Sequence, residues 1–386
     1  MTTDAQAPQA GGRRESRPGE PGAAPARRGI PDAPRVATRA DVARLAGCSS
    51  AVVSYVVNGG PRSVAPATRE RVLAAIDELG YRPNAVARAL RKRATSTIAL
   101  LVPDISNPFF ADFARAVQDA AFDRGKVLLM GDSGGNVLRE EAYLERFVDE
   151  QVEGIVVIGA SRASVLRAVG ASPVRAVALD RPLHGAGIPF VGIDNQRAAF
   201  EATRHLLDHG HRRVACLAGP DDQSNATARL AGWAQALHGA GVAAGPDLVG
   251  VHPFSAEGGE AGGRALLDVP ADRRPTAVFV SSDSQAEGLL AVARRMGLSI
   301  PEDLAVFGFD GTRRSVYSEP AMSVVEQPVR AAAAAAVDLL QNPPPAGAPL
   351  EHRILDFSLV LRRSCGCTGR TPSPEPLAPA NEGVHP

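Results

Sequence analysis

The sequence predicts a small all-α domain followed by a large α/β domain of two lobes. The chain has 386 residues, which is enough for two or three domains. Residues 38–81 carry short helical patterns, whereas from residue 96 onward short apolar runs alternate with amphipathic stretches. Such alternation is typical of parallel sheets that helices cover on both faces. Residues 95–363 are too many for one such sheet and fit two lobes.

The composition excludes several classes of protein. Apolar residues make up 45% and charged residues 22%, which is ordinary for a globular chain. The sequence has no apolar run of about 18 residues, so no membrane span is predicted. The first ten residues lack the apolar segment of a secretory signal, and four cysteines are too few for a disulfide scaffold. These observations predict a cytoplasmic protein.

The charge is divided unevenly along the chain, although the net charge is zero. Residues 35–95 hold eleven Arg and Lys against four Asp and Glu, while residues 96–386 hold 26 against 34. A basic segment before an acidic body indicates a module that binds a polyanion. Residues 1–35 and 364–386 have no apolar period and are predicted to be disordered tails.

Three short helices are predicted in the basic segment. Thr38 can cap the first helix, Gly47 ends it, Ser49 can cap the second and Pro66 suits the first turn of the third. Two short helices joined by a tight turn with glycine form a helix-turn-helix, whose second helix enters the major groove of DNA. Spacing alone also allows a three-helix bundle with no partner.

Eight strands are predicted in the α/β part, each followed by a loop that could carry function. Open parallel sheets bind ligands at the carboxyl ends of their strands. The predicted strands are Ile98–Val102, Val127–Met130, Ile155–Ile158, Val174–Leu179, Val214–Ala218, Leu248–Val251, Ala277–Val280 and Leu304–Phe309.

Several ordered motifs resemble those of the lactose-repressor (LacI) family of bacterial transcription regulators. In the headpiece they lie in residues 38–58, 64–72, 79–84 and 87–90; in the body they lie in residues 98–110, 275–279, 301–310 and 327–328. The resemblance covers about residues 36–363. It implies a helix-turn-helix domain (36–82), a hinge helix (83–94) and a two-lobed effector-binding and dimerisation domain like that of periplasmic sugar-binding proteins (95–363).

The resemblance implies which residues contact DNA. Ser50 and Ala51 match base-edge positions, and Ser54 and Tyr55 lie on the next turn of the recognition helix, where Tyr55 would contact a phosphate or a thymine methyl. Phosphate contacts match Thr38, Ser49, Asn58 and Thr68; hinge contacts match Asn84, Ala87 and Leu90. Tyr55 stands where the family often has Arg, and it cannot take both guanine acceptors as Arg does. In the hinge, the segment taken alone favours a plain basic linker, whereas the resemblance favours a hinge helix with Leu90 as a wedge in the minor groove.

The resemblance also implies a ligand cleft between the lobes. Aromatic rings, carboxylates and Arg suit a small polyhydroxylated ligand, most of all a sugar. The residues so implied are Phe109, Phe110, Asp180, Gln223, Asn225, Arg229, Phe254 and Asp283. Asp310 is left open between ligand binding and helix capping. Whether the ligand induces or co-represses is not decided by the sequence.

Two further patterns indicate rival chemistries. Residues 131–135 match serine-hydrolase signatures, but the first His of the chain comes later, at His184, and the glycines are a poor helix start. His205 and His209 share a helical face, while Cys365 and Cys367 lie near the predicted tail without an evident partner. The interpretation is therefore a homodimeric regulator of double-stranded operator DNA with no catalytic residue, metal or cofactor. A sugar-binding protein or an α/β hydrolase is the alternative.

Overall fold

The structure is a computed structural model that describes residues 37–58, 63–82, 95–170, 172–343, 345 and 349–367. The chain divides into two compact units, Met1–Asn84 and Ala85–Pro386. The predicted hinge residues Asn84, Ala87 and Leu90 lie outside the described residues, as do residues 1–35 of the predicted amino-terminal tail.

The first unit contains the three predicted helices. They are α1 (Arg39–Leu45), α2 (Ser50–Asn58) and α3 (Pro66–Glu78). Helices α1 and α2 meet at 105°, within the range expected of a helix-turn-helix. Their apolar faces and that of α3 enclose one small core, formed by Val42, Ala43, Ala46, Val53, Val56, Val72 and Ala75.

Local sequence explains where these helices begin and end. Thr38 and Asp41 form a reciprocal capping box that satisfies backbone donors at the start of α1. Gly47 has a φ of +62° in the turn, which glycine adopts without the steric cost that a Cβ brings. Ala65 makes no side-chain cap for α3, and Pro66 begins that helix instead.

The second unit has a first lobe built on a six-stranded parallel sheet. Its strand order is β11-β5-β4-β3-β1-β2. The strands are β1 (Thr97–Val102), β2 (Val127–Asp132), β3 (Gly154–Ile158), β4 (Arg175–Leu179), β5 (Phe190–Ile193) and β11 (His352–Leu355). The helices are α4 (Pro108–Phe122), α5 (Val137–Asp149), α6 (Arg162–Val169) and α12 (Val329–Gln341).

The second lobe repeats this architecture, with strand order β12-β10-β9-β8-β6-β7 and β12 antiparallel to β10. Its strands are β6 (Val214–Ala218), β7 (Val249–Val251), β8 (Ala277–Val280), β9 (Ala305–Asp310), β10 (Ser323–Glu326) and β12 (Ser358–Val360). Its helices are α7 (Asn195–Asp208), α8 (Ser224–Gly239), α9 (Ala256–Leu267), α10 (Asp283–Arg295) and α11 (Arg314–Tyr317).

The eight predicted strands are confirmed, with boundaries that differ by a few residues. Four more strands, β5, β10, β11 and β12, were not predicted because they are only three or four residues long and some carry charged residues. The central strands are buried along almost their whole length, which explains why their sequences are continuous apolar runs.

The chain passes between the lobes three times. It crosses after β5, again between β10 and α12, and again between β11 and β12. Near two of these crossings, the Arg197 guanidinium bonds Asp356 at 3.0 Å and stacks on the Phe357 ring at 4.8 Å. Each lobe is therefore assembled from more than one segment of the sequence.

The carboxy-terminal boundary of the fold differs from the prediction. A disordered tail was predicted from residue 364, but a short 3-10 turn, Arg363–Cys365, follows β12 and the described chain runs to Cys367. Ser364 and Cys365 are fully buried, and the Ser364 hydroxyl donates to the carbonyl of Val306 at 2.7 Å. These contacts hold the segment in the second lobe. Residues 368–386 lie outside the described part.

Among the residues that the structure describes, no single helix is long and apolar enough to cross a membrane. By length and composition alone, the bent pair of α1 and α2 resembles a broken span.

Candidate functional site

The first unit exposes the amino-terminal turn of α2. Ser50 and Ala51 are exposed, and Ser54 and Tyr55 are half-buried one turn later. A recognition helix contacts base edges through the residues of its amino-terminal turns. The side chains at the positions implied to face DNA are thus accessible at the surface of this unit, and Tyr55 places a phenol ring among them.

The residues implied as phosphate contacts have varied surroundings. The Thr38 hydroxyl donates to the Asp41 carboxylate at 2.6 Å, and the Ser49 hydroxyl accepts from the Val52 amide at 3.4 Å, so both also act as helix caps. Thr68 is half-buried in the first turns of α3. The side chain of Asn58 is outside what the structure describes.

A cavity of about 350 Å³ lies between the two lobes of the second unit. Its walls come from the loops after the carboxyl ends of strands in both sheets, as open α/β sheets predict. Among the described residues it is lined by Pro103, Asp104, Asn107, Phe109, Phe110, Ser133, Gly135, Val137, Glu140, Gly159, Ser161, Asp180, Arg181, Asp222, Gln223, Asn225, Arg229, Phe254, Ser282 and Asp310.

Arg229 is the central cation of this cavity, and its side chain is only 2% exposed. Its Nε donates to Asn195 Oδ1 at 2.8 Å, and its Nη1 donates to the carbonyl of Ser281 at 2.6 Å. The guanidinium lies 3.7 Å from the ring centre of Phe309. Its Nη2 is buried and has no hydrogen-bond partner. Desolvation lowers the pKa of Arg229, while the nearby carboxylates, Asp310 foremost, act against this.

Asp180 brings a carboxylate from the first lobe. It directly follows β4 and has a φ of +74°, which is uncommon outside glycine. Its Oδ2 accepts from the Asn225 amide of the second lobe at 3.1 Å, and its Oδ1 is buried without a partner. Burial raises the pKa of Asp180, against the opposing effects of Arg229 and Arg181.

Asp310 brings a second carboxylate and also has a positive φ, +107°. Its Oδ1 accepts from the Gln327 amide at 3.1 Å and lies 3.6 Å from Arg229 Nη1. Burial raises the pKa of Asp310 to about 7; the Arg229 guanidinium acts against this rise, and the Asp180 carboxylate adds to it. The residue that the sequence left open between capping and ligand binding lines the cavity.

Asp283 does not line the cavity, although the resemblance implied that it binds the ligand. Its Oδ2 accepts from the backbone amide and the hydroxyl of Thr312, at 2.7 and 2.8 Å. Desolvation and the neighbouring Asp310 raise its pKa well above the usual value. Asp283 therefore holds the loop after β9 in place beneath the cavity.

Aromatic rings form the apolar part of the wall. Phe109 is buried and packs edge-to-face on Phe113, with ring centres 4.9 Å apart, while Phe110 and Phe254 are half-exposed. The Asn107 amide donates to the carbonyl of Phe254 at 3.2 Å and so joins the lobes at the rim. Flat apolar faces beside fixed carboxylates and a guanidinium suit a ligand that has both ring faces and hydroxyls.

Seven of the eight residues implied as ligand contacts meet in this one cavity. Three residues that sequence reasoning missed also belong to the arrangement: Arg181 lines the cavity, Asn195 positions Arg229, and Gln327 holds Asp310. For Asn195 and Gln327 the signal was their place at the ends of strands β5 and β10, two strands that were themselves not predicted.

The serine-hydrolase pattern at residues 131–135 forms a loop. The Ser133 hydroxyl donates to the carbonyl of Val102 at 3.3 Å, and the Asp132 carboxylate accepts from Ile105 and Gly134 amides. None of these three hydrogen bonds involves histidine, the base that activates a nucleophilic serine in the hydrolase triad.

The metal prediction requires a correction. Cys365 and Cys367 were interpreted as having no partner, and this was wrong. Both thiols lie against the imidazoles of His205 and His209, so that four potential ligand atoms are within 4.8 Å of one another.

These features define a class of protein: a DNA-binding helix-turn-helix joined to a two-lobed, ligand-binding α/β domain. A family model described as bacterial regulatory proteins of the lacI family matches residues 38–84. A model of the periplasmic-binding-protein-like domain matches residues 203–365.

Similar proteins match most of the chain. The transcriptional repressor CytR of Escherichia coli (strain K12) is 33% identical over 340 residues, which is 85% of this chain and 96% of CytR. Catabolite control protein A of Priestia megaterium is 36% identical over 302 residues, 78% of this chain and 90% of that protein. The chain belongs to the LacI family of transcription regulators.

Solved structures agree with this assignment. The lac repressor dimer bound to operator and the anti-inducer ONPF matches with a TM-score of 0.77 at 26% identity, covering 86% of this chain and 99% of the other. The regulator CelR in complex with cellobiose matches with a TM-score of 0.61 at 34% identity, covering 85% and 99%.

Proposed function

We propose that the protein is a transcriptional repressor whose affinity for operator DNA is switched by a small polyhydroxylated metabolite, most of all a sugar. Two headpieces of a homodimer read the two halves of a roughly palindromic operator, because a two-fold protein matches a two-fold site. The observation that carries the proposal is the buried Asp180, Arg229 and Asp310 cluster in a cavity between two lobes.

The orphaned polar atoms support a ligand with several hydroxyls. Asp180 Oδ1 and Arg229 Nη2 are buried without partners, and an unpaired buried polar group costs about 1–3 kcal/mol. A ligand hydroxyl donates to the first and accepts from the second, which removes both costs together. A related regulator from Enterococcus faecium with bound ribose has a similar fold, at 26% identity and a TM-score of 0.61.

The headpiece supports a role in reading DNA. Its net positive charge favours the phosphate backbone, and Ser50, Ala51 and Tyr55, which are exposed or half-buried on α2, would face the base edges. Tyr55 offers one hydroxyl and an apolar ring where a bidentate guanine contact would need Arg. The preferred operator therefore differs at that base pair from operators read by relatives with Arg.

Contacts across the cavity connect the ligand to the arrangement of the lobes. The Asn225 amide of the second lobe donates to the Asp180 carboxylate of the first. The Asn107 amide donates to the carbonyl of Phe254, and its oxygen accepts from the Ser284 hydroxyl. A ligand that contacts both walls binds one lobe arrangement better than another, and only such a difference can change DNA affinity.

An apolar face on the first lobe suits the homodimer. The edge strand β2 exposes Val127, Leu129 and Met130, and the end of α4 exposes Phe122 at 78%. Unpaired edge strands with exposed apolar side chains are a liability unless another chain covers them. We assign this face to the dimer interface.

Catalysis is not part of the proposal, because the similar proteins named above are transcription regulators. The described lining of the cavity contains carboxylates, serines and two arginines, Arg181 and Arg229, but neither histidine nor cysteine. This composition suits the binding of a polyhydroxylated ligand.

The test is a fluorescence-anisotropy titration of the full-length protein on labelled DNA from upstream of its own gene and its neighbours. A panel of monosaccharides, disaccharides and nucleosides is then added at saturating concentration. We expect tight binding to one fragment and a shift by one sugar of at least about tenfold, which corresponds to about 1.4 kcal/mol of coupling.

Asp180→Asn is the matched variant, because it keeps the shape of the side chain and removes its charge. It should leave operator affinity unchanged and abolish the sugar response. Equal binding to all fragments would overturn the DNA-reading role, and turnover of a glycoside or ester by the protein would favour the hydrolase alternative.

A further inference from the structure

We propose that His205, His209, Cys365 and Cys367 form a structural zinc site. The site lies in the second lobe, at the carboxy-terminal end of α7, and none of its four residues lines the cavity between the lobes. It goes beyond DNA and effector binding, and its test does not depend on either.

The fold brings together two short chelating motifs that are far apart in sequence. His205 and His209 are four residues apart at the end of α7, so both imidazoles project from one face of the helix. Cys365 and Cys367 flank Gly366, whose φ of +91° turns the chain so that both thiols face the imidazoles. A Cβ atom at position 366 would lie 3.5 Å from Nδ1 of His209, so glycine leaves room beside that ring.

Three of the six distances between the four ligand atoms are close to those of tetrahedral coordination, and all six are within 4.8 Å. Cys365 Sγ lies 3.3 Å from His205 Nε2, while Cys367 Sγ lies 3.5 Å from His205 Nε2 and 3.4 Å from His209 Nε2. Zinc bonds of about 2.3 Å to sulfur and about 2.0–2.1 Å to nitrogen place tetrahedral ligands about 3.5 Å apart. The side chains therefore enclose a space of the size that one zinc ion needs.

The surroundings hold the ligands and leave an entry path. Cys365 is fully buried with Ser323 Oγ 3.0 Å from its sulfur, and the His205 ring packs on Phe307 with centres 5.5 Å apart. His209 is exposed and Cys367 is half-exposed, so an ion reaches the site from solvent. Supporting contacts of this kind orient ligands before the metal binds.

The ligand set selects the metal and its role. Two thiolates with two imidazoles in a tetrahedron are typical of Zn²⁺, whereas Mg²⁺ and Ca²⁺ prefer oxygen ligands. Four protein ligands leave no position for water or substrate, which marks a structural site. Zinc here would fasten the last described turn of the chain to α7.

The experiment uses the untagged full-length protein, purified without chelators from cells supplied with zinc. Metal content is measured by inductively coupled plasma mass spectrometry. The metal is then removed under reducing conditions and Co²⁺ is added, because tetrahedral thiolate-bound cobalt shows intense visible bands and a sulfur-to-cobalt charge-transfer band. We expect one zinc per chain and both cobalt signals.

Two variants and two controls locate the site. His209→Gln and Cys367→Ser remove ligands that reach the surface, so the fold should persist, and each should weaken zinc binding by more than about 100-fold, beyond the loss seen for supporting residues. His211→Gln, which removes an imidazole that contacts Thr276 instead, and Cys48→Ser in the headpiece should keep one zinc per chain.

Three results would overturn the proposal. The first is wild-type protein that takes up neither zinc nor cobalt after full reduction, as a cluster held by hydrogen bonds alone would behave. The second is a purified protein that contains a disulfide bond between Cys365 and Cys367 and still binds no metal after that disulfide is reduced. The third is equal zinc content in the wild type and both ligand variants.

Discussion

The two ends of helix α7 carry different sites. At its start, Asn195 accepts a hydrogen bond from Arg229 and so supports the effector cavity; at its end, His205 and His209 face the two cysteines. The ends are about 20 Å apart at 1.5 Å per residue. One end therefore belongs to a site that changes with its ligand, and the other to a site that fixes the fold.

The chemistry of the two ends explains this difference. Around Arg229, charges are buried with some polar atoms unpaired, an arrangement that is costly until a ligand completes it. Around His209, two imidazoles and two thiols face one another with their ligand atoms within 4.8 Å, and one metal ion would satisfy all four. Separate occupancy of the two ends is what the following predictions test.

The largest effect is expected for Arg229→Ala. The change leaves the carboxylates of Asp180 and Asp310 buried without their cation, and losing one partner of a buried pair costs about 3–5 kcal/mol. Chemical denaturation should show that loss, and calorimetry should show no effector binding. Arg264→Ala, at an exposed arginine of α9, is the control and should change neither. Retained effector affinity in Arg229→Ala would show that the cavity is not the effector site.

The next effect concerns the other end of the helix. With zinc at about 100 times its dissociation constant, the wild type gains about 2.7 kcal/mol, and His209→Gln should lose this gain. Differential scanning calorimetry with and without chelator measures it. Effector affinity should stay within about twofold, because Asn195 and Arg229 are untouched. A large change in effector affinity would show that the two ends are coupled.

A third effect is a pH dependence of effector binding. Ligand hydroxyls donate to an ionised carboxylate, while the pKa of Asp310 is about 7 in the unliganded protein. Binding must then release a proton below pH 7, so affinity should fall about tenfold per pH unit as the pH decreases and level off above 7. Calorimetric titration at pH values from about 5.5 to about 8, in steps of about 0.5 pH unit, tests this dependence.

Asp310→Asn sharpens the same experiment, since it removes the titrating group. Its effector affinity should be lower at high pH and flat across the range. A flat profile in the wild type would mean that Asp310 is already ionised, or does not accept from the ligand, and would contradict the prediction.

The smallest effect is expected for Gly366→Ala. An alanine in the left-handed conformation costs about 1 kcal/mol, and here the added carbon lies in contact with the His209 ring. Equilibrium unfolding should show this loss with zinc present. Gly297→Ala, at a φ of +71° with nothing within 4 Å, is the control for the backbone cost alone. Equal losses in both would show that Gly366 matters only for its own backbone.

The sequence predicted the headpiece and the cavity well for definite reasons. In the headpiece, Thr38 and Ser49 cap the first two helices and Pro66 begins the third, all residues with strong local preferences, and the central strands are continuous apolar runs. The cavity residues follow strand ends, where parallel sheets bind ligands. The motifs shared with the family supplied the rest.

The sequence did not predict features that depend on contacts between distant segments. Strand β11 pairs with β5, and β12 pairs with β10, so their existence depends on neighbours far along the chain. The Cys and His cluster has the same cause, because Cys365 and His205 are separated by 160 positions. Asp283 looked like a ligand contact, but its hydrogen bonds to Thr312 exist only in the folded loop.

The threefold passage of the backbone between the lobes has a practical consequence for protein engineering. Neither lobe corresponds to a single uninterrupted stretch of gene, because α12 and β11 return to the first lobe before β12 rejoins the second. A fragment that stops after β10 would lack a helix and a strand of the first lobe. Anyone who wants a lobe alone must therefore rearrange the order of the coding segments and join them with new linkers.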